Sequence, residues 1–222
     1  SLPASAVYGA FGAIWQKDLK YINAYSSVSH CGLVLFAVLM MNQTAFNGAI
    51  LQMISHGLMT ALFFALIGMI YGRTHTRMIN EMGGIMKVMP FLGVVYVIAG
   101  LASLGLPGLS GFVAEMTIFF GAFQHTDFFH RFLTIMATTS IVVTAVYILR
   151  VVGILLLGPI KDEHFLHLED AKWHERLSTI TLVLAIAAIG IAPLWLSDMI
   201  NVSLEPIVNK ISMAGFEFTG LF

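Results

Sequence analysis

A long stretch without charged side chains dominates this sequence. Between Tyr21 and Gly72 there is no Asp, Glu, Lys or Arg. A helix of about 20 apolar residues spans the hydrocarbon of a bilayer, where charged side chains are costly, so the stretch predicts membrane-spanning helices. The polar segment 42–47 (NQTAFN) divides the stretch, and two helices therefore fit it better than one.

The composition supports a membrane protein and limits its partners. Of the 222 residues, 58% are hydrophobic and 10% are charged, whereas soluble chains carry about 25% charged residues. An ordinary soluble domain is therefore excluded. The net charge of −1 offers no basic surface for phosphates, so no nucleic-acid partner is expected. The single cysteine, Cys31, lies in an apolar run and is expected to pack as a small hydrophobe.

The other apolar segments complete an all-α, polytopic transmembrane helix bundle. None of them alternates polar and apolar residues as a strand would. We expect the end of a truncated transmembrane helix at 1–16, which makes the chain a piece of a longer protein. A repeat of four transmembrane helices is expected over 17–158, at about 21–41, 47–71, 88–124 and 130–158. A cytoplasmic loop at 159–176, a final transmembrane helix at 177–199 and a tail at 200–222 follow; the tail is expected along the membrane interface or on a neighbouring subunit.

The segment 88–124 is too long for one straight crossing and contains Leu106-Pro107-Gly108, a composition that ends or breaks a helix. Two crossings and one broken crossing both fit this pattern. One broken crossing leaves eight Lys and Arg residues on one side and two on the other, whereas two crossings give seven against three. Because Lys and Arg collect on the cytoplasmic side, we favour one broken crossing, with 73–87 and 161–176 inside and 124–131 outside.

Glu115 is the most informative residue of the sequence. It follows Pro107 by eight residues and is the only formally charged side chain between Val88 and Thr126. Irregular backbone inside a membrane is tolerated only within protein or beside water, so broken helices often mark transport sites. A carboxyl group in such a place can load and release a proton. The alternative is a carboxyl at the membrane edge that reaches water; we favour the proton-carrying role.

Two histidines in apolar spans extend this hypothesis. His30 follows Ser26 by one helical turn, and His56 follows Gln52 in the same way. Imidazole can accept a proton on one nitrogen and donate from the other. A single such histidine could simply bond two helices together, but two of them and a Glu beside a break favour a proton path. The residues expected to support this path are Lys20, Ser29, Gln52, Ser55, Pro107 and Arg150.

Other polar residues allow fewer conclusions. Arg150 lies inside an apolar span, where it could extend to the inner boundary or act as a counter-charge to an acid in the bundle. His164, His167 and His174 lie in a charged segment without the spacing of a helical metal site, so no metal site is predicted. With one cysteine and few histidines in the spans, no redox cofactor is expected in this chain.

Four motifs occur in order between residues 16 and 116: QKDLKYINAYSSVSHCG, QMISHGLMTALFFALIGMIYGRTHTR, EMGGIMKVMP and ASLGLPGLSGFVAEM. Through them the chain resembles the C-terminal half of subunit M of respiratory NADH–quinone oxidoreductase (complex I), called chain 4 in mitochondria, in the antiporter-like family of proton channels. The resemblance implies the second of two inverted five-helix repeats. It matches His30 and His56 to histidines of the tenth and eleventh helices and Glu115 to the acid of the broken twelfth. Related subunits generally have Lys at that position.

The resemblance also implies a function and its surroundings. The expected function is proton translocation along a path of histidine, glutamate and water, coupled to electron transfer in other subunits. NADH, flavin, iron–sulfur clusters and quinone are expected in partner subunits, and the expected location is the inner membrane of a bacterium beside other membrane subunits of complex I. Without the N-terminal half, this piece alone is not expected to pump. The alternatives are a subunit of a sodium/proton antiporter or membrane-bound hydrogenase, and a structural spacer that does not pump.

Overall fold

A computed structural model of the protein describes residues 2–213, and most of these residues are helical. A π-helical turn over Gly153–Leu157 extends the seventh helix, and a 3₁₀ turn covers Glu163–His167. No β-strand occurs among the described residues, so the all-α prediction is confirmed. The helices are α1 (Leu2–Trp15), α2 (Leu19–Leu39), α3 (Gln43–Thr74), α4 (Ile85–Val88), α5 (Pro90–Ser103), α6 (Ser110–Phe123), α7 (Phe128–Val152), α8 (Trp173–Ile191) and α9 (Leu194–Met213).

Within residues 2–213, four helical segments are long and apolar enough to cross a membrane: Leu19–Leu39, Gln43–Thr74, Phe128–Leu157 and Trp173–Ile191. Helices α5 and α6 are apolar too, but each has only 14 residues. At 1.5 Å per residue each is about 21 Å long, shorter than the hydrocarbon core of about 30 Å. Neither α5 nor α6 can therefore cross alone.

Helix α3 packs along both α5 and α6. Near its C-terminal end, Phe63 packs edge-on against Tyr96 of α5, with ring centroids 5.5 Å apart. Nearer its N-terminal end, Ser55 Oγ lies 2.7 Å from Ser110 Oγ at the start of α6. As the chain proceeds from α5 to α6, its contacts with α3 therefore move towards the N-terminus of α3. The two short helices form one broken crossing antiparallel to α3, as the positive charges predicted.

The outer halves of α3 and α6 meet backbone to backbone. A Cβ atom added to Gly48 would lie 2.6 Å from the backbone nitrogen of Ile118, and one added to Gly121 would lie 2.5 Å from that of Ala45. Small residues at such positions let membrane helices approach closely, and their association then depends on close packing. This contact holds α6 in register with α3.

The break itself consists of residues 104–109 and contains two glycines in the left-handed region. Gly105 has φ +64° and Gly108 has φ +93°, conformations that side chains with a Cβ rarely adopt. Pro107 is exposed between them. Gly190 of α8 packs directly against the carbonyl of Gly108, and a side chain at Gly190 would collide with it. The break is therefore covered by the end of α8.

The segment before α8 is attached to the other end of the broken crossing. The Asp170 carboxylate accepts hydrogen bonds from the backbone N–H groups of Phe91 at 2.8 Å and Leu92 at 3.3 Å. These N–H groups belong to the first turn of α5. Backbone N–H groups in a first turn have no acceptor within the helix, and the helix dipole favours a negative charge there. Arg73 Nη2 also pairs with Glu175 Oε2 at 2.6 Å. The ends of α3 and α5 and the start of α8 are thus joined.

The loops fall at two opposite ends of the bundle. Asp18 before α2 pairs with Arg77 after α3 at 3.4 Å, at the same end as Arg73. At the opposite end, His125 Nε2 lies 2.8 Å from the carbonyl oxygen of Met40. The eight positive residues expected on one side lie in the loops and helix ends of the Asp18 end, which we call the inner end. The His125 end is called the outer end.

This arrangement predicts which loops a labelling reagent can reach. In a variant with Cys31 replaced by Ser, the exposed residues Thr126 and His167 are each changed to Cys. Because Lys and Arg favour the cytoplasmic side, Thr126→Cys should react with an impermeant maleimide in intact cells. His167→Cys should react only after the inner face is opened. Labelling of Thr126→Cys only after the inner face is opened would contradict the single broken crossing, and labelling of both variants in intact cells would contradict the crossing of α7.

The C-terminal helices differ from the expected final helix at 177–199 and tail at 200–222. Helix α8 ends at Ile191, because Ala192 precedes Pro193 and a residue before proline is disfavoured in the helical conformation. A separate helix, α9, follows and packs on α3, where Asn47 Nδ2 donates to Asn201 Oδ1 at 2.7 Å. The described part of the tail thus covers the chain's own α3, and 214–222 lie outside the described residues.

Two local expectations also differ from the structure. The two helices expected around 42–47 are present, but the second was expected to begin at about residue 47 and begins at Gln43, because the Asn42 side chain caps α3 by accepting from Ala45 N at 2.8 Å. Cys31 was expected to be packed inside, but its side chain is exposed on α2. A thiol can face lipid at little cost, because lipid is as apolar as the protein core.

Candidate functional site

His30 is the centre of a buried polar cluster at the level of the break. Its Nδ1 atom lies 3.0 Å from Gln52 Nε2 of α3 and 3.9 Å from Glu115 Oε1 of α6. Its Nε2 atom lies 3.4 Å from Ser103 Oγ at the end of α5. All four side chains are buried. Residues from four separate helices thus meet at one imidazole.

His56, which belongs to α3 as Gln52 does, lies beside His30. The ring centroids of the two histidines are 5.1 Å apart, with the planes inclined by 34°. His56 is only partly buried, and its Nε2 atom lies 3.3 Å from Thr60 Oγ1 on the next helical turn. His56, His30 and Glu115, which the sequence predicted as a proton path, therefore lie together.

The backbone of the break lies against the Glu115 carboxylate. A Cβ atom at Gly105 would lie 2.5 Å from Glu115 Oε2, so the backbone of the break packs directly against the carboxylate. Ser103 and Ser110 stand at the two ends of the break, and Ser110 bonds to Ser55 of α3. The backbone of this break therefore lines a polar interior, which is the setting that irregular membrane backbone needs.

A second polar branch leads from the cluster towards the inner end. The Tyr147 hydroxyl of α7 donates to Ser26 Oγ at 2.7 Å and also interacts with Ser103. One turn further along α2 lies Asn23, beside a narrow cavity that Ser26, Tyr96 and Tyr147 also line. Within residues 2–213, the buried atoms Asn23 Nδ2 and Gln52 Oε1 have no hydrogen-bond partner. Buried polar atoms are normally bonded, often to water.

The supporting residues divide between this cluster and other places. Gln52 and Ser55 belong to the cluster. Ser29 donates to the carbonyl oxygen of Ala6 at 2.7 Å and so ties α2 to α1. The other three are Lys20, which is exposed at the inner start of α2, Pro107, which is exposed in the break, and Arg150, whose Nη1 donates to the carbonyl of Ile14. Among the described residues, Arg150 pairs with no acid, so its counter-charge role receives no support.

Ser103 and Ser110 were not predicted as site residues from the sequence. Both were visible in the segment SLGLPGLS, where one serine precedes the break and the other follows it. A hydroxyl at each end of a broken membrane helix is a signal that sequence inspection could have used. Without the partner helices, however, nothing in that segment indicates that Ser103 faces His30 and that Ser110 faces Ser55.

A second group of titratable residues lies at the outer end, apart from the buried cluster. His125, Asp127 and His130 each offer one possible ligand atom, and these atoms lie within 4.8 Å of one another. Asp127 caps α7, and the backbone N–H of His130, which donates to Asp127 Oδ2 at 3.0 Å, lowers the pKa of Asp127 to about 2. The His130 ring adds to this shift. The carboxylate is therefore ionised at neutral pH.

Comparison with known proteins identifies the family. The family model described as NADH:quinone oxidoreductase/Mrp antiporter, transmembrane, matches residues 3–144. The chain is 33% identical to NADH-quinone oxidoreductase subunit M of Rickettsia felis over 92% of this chain and 41% of that protein. It is 39% identical to NAD(P)H-quinone oxidoreductase chain 4 1 of Nostoc sp. over 84% of this chain and 36% of that protein. The chain thus spans about two fifths of the length of these relatives.

Solved structures agree with this assignment. A chain of respiratory complex I from Thermus thermophilus superposes with a TM-score of 0.86 at 27% identity, over 94% of this chain and 43% of that one. A chain of the Mrp complex from Dietzia sp. has a TM-score of 0.81 at 17% identity, over 90% of this chain and 45% of that one, and so shares the fold. The matched sequence covers α1 to α6 and most of α7, the helices that build the buried cluster and the break. This chain belongs to the NADH:quinone oxidoreductase/Mrp antiporter transmembrane family.

Proposed function

We propose that this chain is part of a proton-translocating subunit of a respiratory NADH–quinone oxidoreductase, working in the inner membrane of a bacterium. The observation that carries the proposal is the position of His30, which lies between His56 and Glu115 beside a break in a membrane helix. The relatives named subunit M and chain 4 support the choice of this enzyme. Other membrane subunits of the complex are its partners, and NADH, flavin, iron–sulfur clusters and quinone bind to partner subunits.

The hydrogen bonds of His30 suggest how it would pass a proton. If Gln52 Nε2 donates to His30 Nδ1, the neutral ring carries its proton on Nε2 and donates towards Ser103 Oγ. Nδ1 is then the atom that accepts the next proton. The Gln52 amide can turn, so that its otherwise unpaired Oε1 accepts from the newly protonated Nδ1. The same side chain can thus bond to both protonation states of His30.

Transfer from His30 to Glu115 needs one short step. The 3.9 Å between His30 Nδ1 and Glu115 Oε1 exceeds a hydrogen bond, but a small movement or one bridging water closes it. The break lets water and backbone groups approach the carboxylate, and Glu115 then releases the proton towards the outer end. The Tyr147–Ser26 branch supplies hydroxyls between His30 and the inner end.

We expect the two histidines to differ in importance. His30→Gln keeps a polar side chain among Gln52 and Ser103 but cannot exchange a ring proton, so proton uptake should fall by about tenfold or more. His56→Gln should have a smaller effect, because His56 is partly exposed and water or Thr60 can bridge its place. Proton uptake into inverted vesicles is measured together with NADH oxidation, in strains that make the complete subunit.

The matched control is His164→Gln, which changes an exposed histidine outside the membrane. It should leave the ratio of protons to electrons unchanged. A larger loss in His56→Gln than in His30→Gln would contradict the proposed order of the path. An unchanged ratio in both variants would favour the structural spacer.

A sodium/proton antiporter subunit is the second candidate, because the matched family and the Dietzia structure include Mrp proteins. The two candidates differ in their need for sodium. Proton uptake driven by NADH should persist in buffers without sodium if the proposal is right. Proton movement that requires sodium would favour the antiporter. Proton movement that does not depend on NADH would favour a subunit of a membrane-bound hydrogenase.

A further inference from the structure

The outer end of the bundle contains two histidines and an aspartate drawn from two elements. His125 lies in the turn after α6, Asp127 caps α7, and His130 lies in the first turn of α7. Their possible ligand atoms lie within 4.8 Å of one another. Imidazole nitrogen and carboxylate oxygen are ligands of Zn²⁺ and neighbouring divalent metals. We propose that His125, Asp127 and His130 bind one divalent transition-metal ion of the Zn²⁺ type at the outer face.

The surroundings orient His125 for this role. Its Nε2 atom lies 2.8 Å from the carbonyl oxygen of Met40, and a carbonyl can only accept, so Nε2 carries the proton. The lone pair on Nδ1 is therefore free to bind a metal. A hydrogen bond from the non-coordinating nitrogen to a backbone carbonyl is typical of metal-binding histidines, because it fixes both the tautomer and the orientation of the ring.

His130 and Asp127 already face each other. The Nδ1 atom of His130 lies 2.7 Å from Asp127 Oδ2, so a metal ion can replace the proton that these two atoms share. The rings of His125 and His130 are stacked, with centroids 4.3 Å apart and planes inclined by 16°. The nearby Arg131 side chain is directed to the carbonyl oxygen of His125 at 3.4 Å.

The cluster can supply three ligands and leaves further coordination to water. Asp127 is exposed, whereas His125 and His130 are half-buried, so an ion can enter from the outer side. Three protein ligands with an open position are the arrangement of reactive or exchangeable zinc sites rather than of closed structural ones. Binding is therefore expected to be reversible and to be removed by a chelator.

Cobalt binding to the complete protein, purified from its membrane with its partners, provides the test. Co²⁺ substitutes for Zn²⁺ and gives visible absorption when bound by nitrogen ligands. The wild-type protein should bind one equivalent more than His125→Ala or His130→Ala, and Zn²⁺ should displace that equivalent. Equal binding in the wild type and both variants would overturn the proposal. If His125→Ala fails to assemble because the contact with Met40 is lost, His130→Ala decides the outcome.

Two further variants separate metal binding from helix capping and from proton transfer. Asp127→Asn keeps a good helix cap but removes the charged ligand, so binding should weaken by about 10- to 100-fold while assembly is retained. His167→Ala removes an exposed histidine at the inner end and should change nothing. Glu115→Gln should leave the cobalt equivalent intact, so a failure of the proton path would not affect this result. Unchanged affinity in Asp127→Asn would exclude Asp127 as a ligand.

Discussion

Replacing Glu115 by Gln is expected to abolish proton pumping by the complete enzyme, with a loss of at least about 100-fold in the rate of proton transfer through this subunit. The amide keeps the volume and the polar contacts of the carboxyl, but it cannot bind and release a proton. Gly105 packs against this carboxylate and His30 lies 3.9 Å from it. Glu115 is also the only Asp or Glu within α2, α3, α5, α6 and α7, so these helices offer no second acid to take its place. Proton uptake into inverted vesicles, divided by NADH oxidised, measures the effect.

Two variants make this result specific. Glu163→Gln removes an exposed acid outside the membrane and should pump normally. Glu115→Asp retains a carboxyl one methylene further from His30 and should keep part of the activity. If Glu115→Gln pumped at the wild-type ratio of protons to electrons, Glu115 would not carry the transferred proton and the proposed path would have to be abandoned.

Replacing Gly48 by Leu is expected to prevent assembly of the subunit. A Cβ atom there would lie 2.6 Å from the backbone of Ile118, and backbone cannot turn aside as a flexible side chain can. Helices α3 and α6 would have to separate along their outer halves. Overpacking of this kind costs about 3 kcal/mol, and the loss of close packing removes a main source of association between membrane helices. The amount of folded subunit in detergent extracts measures the effect.

Gly57→Leu is the matched control for this change. Gly57 lies on the same helix, but a Cβ atom there meets nothing within 4 Å. The variant adds the same side chain and raises the helix propensity by a similar amount, so it should accumulate to the wild-type level. Equal accumulation of Gly48→Leu and Gly57→Leu would show that the close contact between α3 and α6 does not contribute to stability.

Much of the architecture follows from where charges and helix breakers occur. Charges are excluded from the hydrocarbon, so their absence from Tyr21 to Gly72 located α2 and α3. Helix ends were less predictable, because several are fixed by distant groups. The first turn of α5 is capped by Asp170, which lies 79 residues from Phe91, and no local pattern indicates such a partner. The end of α8 at Ile191 is an exception that Pro193 could have indicated.

The candidate site was predictable in its members but not in its contacts. His30, His56 and Glu115 stand out because each is a titratable group in an apolar span. Their contacts depend on how α2, α3 and α6 are rotated, which polar stripes indicate only roughly. The cluster of His125, Asp127 and His130 had no such signal, since it forms where the chain turns into α7 and lies outside the apolar spans.

The attachment of α8 has a mechanical consequence. The segment around α8 touches the broken crossing twice, through Asp170 at the start of α5 and through Gly190 at the break. Between these two points lies a 19-residue helix, which is stiff along its axis. A force on the loop that precedes α8 would therefore move α8 along its axis and shift the residues of the break, while Asp170 holds the first turn of α5 in place. A protein that pushed on this loop would thus change the spacing around Glu115 without entering the membrane interior of the chain.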